Sequence, residues 1–362
     1  MSTTLETQNA TPRSLGYHMP AEWERHTATW IAWPHNASDW PGRFQPIPWV
    51  YAEIVRHLSG VEQVHILVQS ADAEKRARGV LKRAQVNQQN VFFHQWPTNR
   101  VWTRDSGPIF VRRDGSLAVT DWKFNAWAKY PDWELDNALP GRVADLLQLP
   151  SFTPVIASAG GKQHELVLEG GSIDTNGAGV LLTTEECLLS TVQQRNPGVS
   201  REQLEQAFHD YLGIDQVLWM NRGIAGDDTH GHVDDITRFV DPNTIVTVVE
   251  ANRVDDNHEP LAENLDRLRT ARNREGQPFR IVELPLPSPV VFEGQRLPAS
   301  YANFYIANGV VLVPTFNDAN DRHALNTLAE LLPRHRIVGI HCVDFIWGLG
   351  ALHCMTQQQP AV

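Results

Sequence analysis

A turn signal recurs along this chain at a nearly constant interval. Four times, a strand-like run is followed by a tight turn and then by a second apolar run, which is the pattern of a β-hairpin. The four turns lie 62, 66 and 66 residues apart, at Asp114-Gly115, Asn176-Gly177, Pro242-Asn243 and Asn308-Gly309. A spacing this regular predicts that one structural unit is used several times.

Each hairpin is followed by a further pair of signals. Apolar residues at helical spacing come first, and a short apolar strand comes after them. In the second unit, Ser200 with Gln203 three residues later predicts where the helix begins. The repeating unit is therefore strand, strand, helix, strand, and it is about 65 residues long. Residues 71–85 carry an additional amphipathic helix pattern that this simple period does not explain.

The four units leave strand-like material at both ends of the sequence. A fifth unit would have to combine the C-terminal strand with the N-terminal segment, and such closure removes the open edges of a propeller-like array. We therefore predict an α/β fold, namely a five-bladed pseudosymmetric α/β propeller of strand-strand-helix-strand units closed by the two chain ends. Residues 17–362 would form a single catalytic domain, and residues 1–16 would form a disordered N-terminal tail.

Composition and charge limit which kinds of molecule this protein is expected to bind. The chain has a formal net charge of −11 and no run of Lys or Arg, so it lacks the basic patch that nucleic acid requires. A negative balance instead favours a cationic small substrate. No stretch approaches the length of an apolar membrane span, and the polar N-terminus lacks the pattern of a signal peptide. We therefore predict a soluble, cytoplasmic protein that binds neither nucleic acid nor membrane.

Cysteine usage agrees with that compartment. The chain has three cysteines, Cys187, Cys342 and Cys354, and an odd number so widely spaced cannot form a disulfide framework. No Cys/His spacing typical of zinc is present, so neither a metal site nor a cofactor is predicted. Free thiols fit a reducing compartment.

Polar residues recur at the same period as the turns. In a closed ring the first strand of each unit lies nearest the axis, so polar residues on it would meet at the centre. Asp105 precedes Glu169 by 64 residues, and Glu169 precedes His232 by 63. Cys354 follows His232 by 122 residues, which is close to two periods. The residues predicted to converge are Asp105, Glu169, His232, Asp234, Asn303 and Cys354.

Together these residue types suit one kind of chemistry. A Cys thiolate is a nucleophile, a His moves protons, and carboxylates bind a cation while orienting the His. Several carboxylates in one cavity suit a guanidinium, whose planar donors match paired carboxylates. Each residue alone has a structural interpretation: Cys354 as a buried thiol, Asp105 as a turn former and Glu169 as a strand end. Only their joint occurrence at one period favours an active site.

Sequence blocks around these residues resemble the agmatine deiminases, within the wider guanidine-modifying family that includes bacterial peptidylarginine deiminases. The blocks run almost from end to end: MPAEWERHTATWIAWPHN, WTRDSGPIFV, FNAWAKY, LEGGSIDTNGAGVLLTTEECLL, GDDTHGHVDDITRFV, SYANFYIANGVVLVP and LHCMTQQQP. The resemblance implies a pentein-type fold, which is a five-bladed α/β propeller. Two departures are visible. GLGALHC stands where the family usually has GGGNIHC, and Ala128-Lys129-Tyr130 stands in place of a Gly-Gly-Lys-Tyr run that is one residue longer.

The resemblance also implies a role for each matching residue. Catalysis would use a nucleophile, a proton-transfer residue, two guanidinium-binding carboxylates and a carboxylate beside the histidine. These would be, in that order, Cys354, His232, Asp105 with Asp234, and Glu169. Trp102 would line the substrate pocket, and Asp228 would hold the far amine of the substrate.

The activity implied by the resemblance is hydrolysis of agmatine to N-carbamoylputrescine and ammonia, through a covalent amidino-thioether on Cys354. A homodimer that binds a small cationic guanidine substrate is implied as well. Alternatives stay open at this stage. Within the class, the substrate could be free arginine or peptidylarginine. Outside it, the chain could be a catalytically silent propeller serving as a binding module, or a papain-like Cys/His amide hydrolase.

Overall fold

The computed structural model describes residues 10–157 and 163–362. Within them the chain forms a mixed α/β fold. Five main sheets have three or four strands each, and two further sheets are two-stranded hairpins. The predicted α/β class is therefore confirmed.

The elements are numbered along the chain. The N-terminal part contains strand β1 (His26–Ala32), helix α1 (Ile47–Leu58), strand β2 (Gln63–Leu67), helix α2 (Ala71–Arg83) and strand β3 (Val91–His94). The next part contains helix α3 (Thr103–Ser106), strands β4 (Ile109–Arg113) and β5 (Ser116–Thr120), helices α4 (Glu134–Asn137) and α5 (Leu139–Leu147), and strand β6 (Ser151–Phe152). A hairpin of β7 (Val155–Ala157) and β8 (Gln163–Glu165) follows.

The second half of the chain repeats this plan. It continues with strands β9 (Asp174–Thr175) and β10 (Val180–Thr184), helices α6 (Glu185–Leu189) and α7 (Arg201–Leu212), and strand β11 (Gln216–Met220). Next come β12 (Thr237–Asp241), β13 (Thr244–Val249), α8 (His258–Thr270), β14 (Arg280–Pro285), and the hairpin of β15 (Val291–Phe292) and β16 (Gln295–Arg296). The last elements are β17 (Tyr305–Ala307), β18 (Val310–Thr315), α9 (Asn320–Leu331), β19 (Arg336–His341) and β20 (Gln357–Pro360).

Four main sheets have the predicted order of strand, strand, helix, strand. Their first two strands pair antiparallel, and the third strand joins the second in parallel after a helical crossover. All four predicted turns lie between the antiparallel strands. Gly115, Gly177 and Gly309 adopt φ of 67°, 68° and 70°, a left-handed conformation in which glycine has no Cβ to clash. The predicted repeating unit is therefore confirmed.

The fifth main sheet joins the two ends of the described chain. β20 pairs antiparallel with β1, with Trp30 opposite Gln357, and β1 continues in parallel to β2, which pairs with β3. The N-terminal segment and the C-terminal strand thus share a sheet, as predicted. Helix α2, the segment that the period did not explain, connects β2 to β3 and so adds a fourth strand.

Local capping marks the ends of the helix in the second unit. The Ser200 hydroxyl accepts a hydrogen bond from the backbone N–H of Gln203, and the Gln203 side chain accepts one from the backbone N–H of Ser200. This reciprocal pair is a capping box. The helix ends at Gly213, whose left-handed φ of 73° closes the last turn. The predicted start of α7 is therefore confirmed.

The described chain begins inside the segment that was predicted to be a tail. Arg13–Leu15 form a 3-10 helix, and the Arg13 guanidinium lies 2.6 Å from a carboxylate oxygen of Asp215. Secondary structure therefore starts before residue 17, because this ion pair and a short helix attach the segment to the fold. Residues 1–9 of the predicted tail lie outside the described residues. No helix in the described part of the chain is long and apolar enough to cross a membrane.

Candidate active site

Short helical turns hold the predicted site residues. Asp105 lies in α3, Glu169 directly precedes the 3-10 turn Gly170–Ser172, and His232 directly precedes the 3-10 turn Val233–Asp235. Each turn comes just before the first strand of its unit. The prediction had these residues on the strand itself. They lie one turn earlier because the backbone forms a short helical turn before each strand begins.

The five residues expected to carry the catalysis lie close together. They are called the inner group below, and they are Asp105, Glu169, His232, Asp234 and Cys354. His232 Nδ1 is 3.7 Å from Asp105 Oδ1 and 3.9 Å from Asp234 Oδ1. His232 Nε2 is 3.8 Å from Glu169 Oε2. The Cys354 thiol lies 3.7 Å from Asp234 Oδ2. Each of the five is no more than 5% exposed, so the inner group is a buried cluster of four ionisable partners around one thiol.

Cys354 lies in the turn before β20. The Asn303 side-chain amide donates a hydrogen bond to its Sγ at 3.0 Å and another to Asp235 Oδ1 at 3.0 Å. Burial raises the pKa of the Cys354 thiol, and the carboxylates of Asp234, Asp235 and Asp105 raise it further. Without a bound cation, the site therefore favours the neutral thiol.

Neither ring nitrogen of His232 has a hydrogen-bond partner among the described residues. One oxygen of Glu169 and one of Asp234 are also buried without a partner there. Burial lowers the pKa of His232, but the Asp105 carboxylate and contacts with Cys187 and Glu169 raise it, to a net value well above the ordinary one. Buried polar groups are normally satisfied, so this cluster has bonding capacity left for a ligand.

Gly171 allows the inner group to approach so closely. A Cβ at this position would lie 2.6 Å from Asp105 Oδ1 and 2.6 Å from His232 Nδ1. These distances are too short for any side chain to be accommodated there. Its backbone N–H instead donates to Asp105 Oδ1 at 3.1 Å. Gly171, two positions after Glu169, is therefore required by close packing of the site.

The two carboxylates expected to bind the guanidinium differ in their partners. Asp105 Oδ2 accepts from the Trp127 indole at 3.0 Å, and burial, partly offset by His232, raises its pKa to about 7. Asp234 Oδ2 lies 2.7 Å from His353 Nδ1. Burial raises the pKa of Asp234, but His353, His232 and Arg238 together lower it more, so the net pKa lies below the ordinary value. Asp234 is thus a fixed negative charge, whereas Asp105 titrates near neutrality.

Glu169 is held by a buried ion pair. Arg195 Nε donates to Glu169 Oε1 at 3.0 Å, and both side chains are fully buried. The same guanidinium donates to the backbone oxygens of Gln193 and Thr229. Burial raises the pKa of Glu169, but Arg195 and His232 lower it, to about 2. Glu169 therefore stays ionised beside His232, and its second oxygen remains open.

A cavity of about 200 Å³ leads to the thiol. Cys354, Asp105 and Trp102 line it. The Trp102 ring packs against Gly350, where a Cβ would lie 2.7 Å from Cζ3 of the indole. The adjacent Leu349 has a left-handed φ of 67°, at a position where the GGGNIHC pattern has glycine. Trp102 is therefore a lining residue, as predicted.

A second set of residues lies at the end of this cavity that approaches the surface, and its members Asp39, Arg100, Tyr130 and Asp228 line the cavity. Lys129 contacts Asp228 Oδ1, and the Tyr130 hydroxyl donates to Asp228 Oδ2 at 2.7 Å. Arg100 donates to Asp132 Oδ1 at 3.0 Å. The side chains of Lys129 and Asp132 are 40% and 51% exposed, which identifies this end as the open one. The mouth group consists of Asp39, Arg100, Lys129, Tyr130, Asp132 and Asp228.

One strained segment contacts both groups. Ala126, Trp127 and Ala128 adopt φ of 50°, 59° and 54°, a left-handed conformation that costs a residue with a Cβ about 1–2 kcal/mol. Trp127 reaches Asp105 in the inner group, and Tyr130, three residues later, reaches Asp228 in the mouth group. The segment therefore fixes the two ends of the cavity relative to each other.

Among the described residues, two sets of side chains have the arrangement to ligate a metal ion. Glu169, Cys187 and His232 form one set, and Asp234, Asp235 and Cys354 form the other, each with ligand atoms within 4.8 Å of one another. Both sets include residues of the inner group. An ion in either set would occupy atoms that the predicted reaction uses, so the absence of a metal stays a prediction from the sequence.

Three contributions to the site were not predicted. His353 bridges two carboxylates, with Nδ1 2.7 Å from Asp234 and Nε2 2.8 Å from Glu22. Arg195 holds Glu169, and Asp39 lines the mouth of the cavity. His353 could have been suspected from its position next to Cys354. Arg195 and Asp39 lie outside the repeat period, and no local pattern marks them.

Comparison with known proteins gives similarity over the full length. The family model described as Porphyromonas-type peptidyl-arginine deiminase matches residues 18–360. The agmatine deiminase of Medicago truncatula is 35% identical, over 97% of this chain and 98% of its own length. A solved agmatine deiminase of Enterococcus faecalis has a TM-score of 0.88 at 29% identity, covering 98% of each chain. A C. jejuni agmatine deiminase with a cysteine-to-serine substitution, solved with substrate bound, has a TM-score of 0.82 at 30% identity, covering 95% of this chain and 96% of its own.

Proposed function

Because the chain belongs to the Porphyromonas-type peptidyl-arginine deiminase family, we propose that it is an agmatine deiminase, which hydrolyses agmatine to N-carbamoylputrescine and ammonia. The observation that carries this proposal is the set of unpartnered groups of His232, Asp234 and Glu169 beside the Cys354 thiol, within the described residues. A guanidinium supplies donors and charge for the carboxylate oxygens. The water and leaving group of hydrolysis supply partners for the imidazole. Full-length similarity to agmatine deiminases supports the same substrate.

The finer architecture belongs to the same proposal. The five main sheets would be the blades of a pseudosymmetric α/β propeller, with the sheet of β20 and β1 closing the ring. Four units of identical strand order and one sheet shared by both ends support this arrangement. A single catalytic domain over residues 17–362, a homodimer and a cytoplasmic location stay predictions from the sequence.

In the first chemical step, the Cys354 sulfur attacks the guanidinium carbon and forms a C–S bond. Asp105 and Asp234 bind the guanidinium nitrogens and hold the carbon in front of the sulfur. The C–N bond to a terminal nitrogen then breaks, and His232 gives that nitrogen a proton so that it leaves as ammonia. An amidino-thioether remains on Cys354. The raised pKa of His232 suits this step, since it keeps the imidazole protonated before the reaction.

In the second step, His232 acts as a base. It takes a proton from a water molecule, and the oxygen attacks the amidino carbon. The C–S bond then breaks, which restores the thiolate and releases the ureido product. Glu169, kept ionised by Arg195, stabilises the imidazolium that reforms.

Ionisation of the thiol is coupled to substrate binding in this scheme. Buried carboxylates raise the pKa of Cys354, and the bound guanidinium offsets their charge, so the thiol releases its proton to solvent when the guanidinium binds and attacks as the thiolate. The Asn303 amide donates to Sγ and so favours the thiolate. Activity should therefore follow two macroscopic ionisations that belong to the Cys354 and His232 pair jointly. A flat profile between about pH 6 and 10 would contradict this coupling.

Ammonia release from agmatine, free arginine and a blocked arginyl peptide tests the proposal. Agmatine should be hydrolysed with the highest kcat/KM, and the Cys354→Ala variant should release no ammonia. If all three compounds are inert, the proposed activity is wrong. A papain-like amide hydrolase would have little need of Asp105 and Asp234, so a mild effect of Asp105→Asn would favour that alternative.

A further inference from the structure

Most charged side chains that line the mouth of the cavity are paired within the chain. Arg100 is paired with Asp132, and Lys129 with Asp228. Both oxygens of Asp228 are engaged, since the Tyr130 hydroxyl donates to the second one. The Asp228 carboxylate therefore holds the segment of Lys129 and Tyr130, and it has little bonding capacity left for a substrate.

Asp39 differs from the other members of the mouth group. It ends the 3-10 turn Ala37–Asp39, and the side-chain amide of Asn36, the capping residue, donates to its Oδ1 at 3.1 Å. Its Oδ2 is buried and has no hydrogen-bond partner among the described residues. Burial, partly offset by Arg100, raises the pKa of Asp39 to about 6. A buried acceptor without a donor is costly, and a ligand that brings one removes the cost.

Asp39 and Cys354 line the same cavity but lie among different charged groups. The charged groups that act on the Asp39 carboxylate are Arg100 and Asp132, both in the mouth group. Those that act on the Cys354 thiol are the neighbouring carboxylates around the inner group. Each of the two groups thus contains a carboxylate oxygen that has no partner among the described residues. Agmatine has a cation at each end.

We propose that Asp39 binds the far ammonium group of the substrate and thereby selects agmatine over free arginine. The inference rests on the proposed function. With the guanidinium in the inner group, the ammonium reaches the mouth group, where Asp39 Oδ2 is the acceptor that the chain leaves open.

The same placement accounts for discrimination among guanidine compounds. Free arginine has an α-carboxylate on the carbon that carries the ammonium, and the Asp39 charge repels it. Arg100, the cation that could attract that carboxylate, is already bound by Asp132. An arginyl peptide has a neutral amide in place of the ammonium, so it leaves Asp39 unpaired. Rejection of both therefore follows from one carboxylate and one occupied arginine.

The test compares agmatine with butylguanidine, which has the same guanidinium and carbon chain but no ammonium. Ammonia release from each compound is measured for the wild type, for Asp39→Asn and for Asp228→Asn. The last variant is a matched control, because it makes the same carboxylate-to-amide change in the same cavity. The ratio of the two kcat/KM values reports recognition of the ammonium, and turnover of butylguanidine reports that each variant is folded.

We expect the wild type to prefer agmatine. Asp39→Asn should lower kcat/KM for agmatine by roughly 10- to 100-fold, mainly through KM, with a much smaller loss on butylguanidine. Asp228→Asn should lower both values alike, because it releases the segment that positions Trp127 as well as Tyr130. The preference for agmatine should therefore collapse in the first variant and persist in the second.

Equal losses on both compounds in Asp39→Asn would overturn the inference, since they would make Asp39 a structural residue. Collapse of the preference in Asp228→Asn, with Asp39→Asn retaining it, would assign the ammonium to Asp228 and overturn it too. If Asp39→Asn cannot be purified in folded form, Asp39→Ser is compared in the same way. If the wild type releases ammonia from neither compound, the proposed function itself is wrong and this inference is lost with it.

Discussion

The inner group and the mouth group differ in whether their charged side chains are paired with one another. In the inner group, His232 lies 3.7 to 3.9 Å from three carboxylates without a hydrogen bond to any of them. In the mouth group, Arg100 and Lys129 are bonded directly to acidic partners. The inner end thus leaves the His232 imidazole and one oxygen each of Glu169 and Asp234 free for a reacting molecule, whereas most charges at the open end are paired within the chain. Asp39 is the described mouth residue that does not follow this division.

The largest effect on activity is expected when the nucleophile is removed from the inner group. Cys354→Ser should lower ammonia release from agmatine by a factor on the order of 10⁴ or more, because a serine hydroxyl is far less acidic than a thiol and stays protonated in this site. Binding should persist, since the carboxylates are untouched, and calorimetry would measure it. Turnover within tenfold of the wild type would show that the inner group works without its thiol.

A second prediction compares the buried pair of the inner end with an exposed pair of the mouth. Arg195→Leu leaves the Glu169 charge buried and unpaired, and should lower the free energy of unfolding by about 3–5 kcal/mol. Lys129→Met breaks a partly exposed pair with Asp228, and should cost about 1 kcal/mol or less. Urea denaturation measures both. Similar values for the two variants would mean that the two ends are not electrostatically different.

Asn303 tests how the thiolate is stabilised. Asn303→Ala removes the donor 3.0 Å from Sγ, and should lower kcat by roughly 10- to 100-fold. It should also move the ionisation of Cys354 to higher pH, because the thiolate loses its hydrogen bond. The rate of alkylation by iodoacetamide as a function of pH measures that ionisation. An unchanged alkylation profile would leave Asn303 with a packing role.

The pKa values of Asp105 and Asp234 predict how binding of a guanidinium at the inner end depends on pH. The pKa of Asp105 is raised to about 7, so it is protonated and neutral below that pH, whereas the lowered pKa of Asp234 keeps it charged. Affinity of Cys354→Ser for butylguanidine should therefore fall roughly tenfold between about pH 8 and pH 6. Butylguanidine is used because it does not involve Asp39. Affinity that is constant over this range would mean that Asp105 is ionised throughout.

The smallest effect is expected in the segment that joins the two groups. Ala128 has a left-handed φ of 54°, and Ala128→Gly should relieve strain and raise the free energy of unfolding by about 0.5–1 kcal/mol. Thermal unfolding measures the change. A loss of stability would indicate that the Ala128 methyl group packs favourably enough to outweigh its backbone strain.

The repeat made much of the fold and of the inner group accessible from sequence. Turn dipeptides such as Asn176-Gly177 mark the antiparallel pairs, and each site residue lies a few positions before the first strand of its unit. Asp105, Glu169 and His232 could therefore be brought together by spacing alone. The offset from strand to turn was missed, because a period predicts equivalent positions and not the local backbone.

Other parts of the site depend on contacts that have no period. Arg195 reaches Glu169 from a loop, and His353 reaches Glu22 across 331 residues. Asp39 is open because Asn36 satisfies one of its oxygens and nothing in the described chain satisfies the other. Such facts depend on which partners lie nearby in space. Neither residue type nor spacing encodes them locally.

The pairing of β20 with β1 has a consequence for how the protein becomes active as it folds. The Trp30 indole donates to Gln359, 329 residues along the chain, and Cys354 lies in the turn that leads into β20. Contacts of such separation form slowly compared with hairpins and helical crossovers. The middle units can therefore fold during synthesis before the Cys354 thiol has reached its position beside the carboxylates of the inner group. Catalysis begins only when this last strand docks, so the appearance of ammonia in a refolding reaction would time the final step of folding.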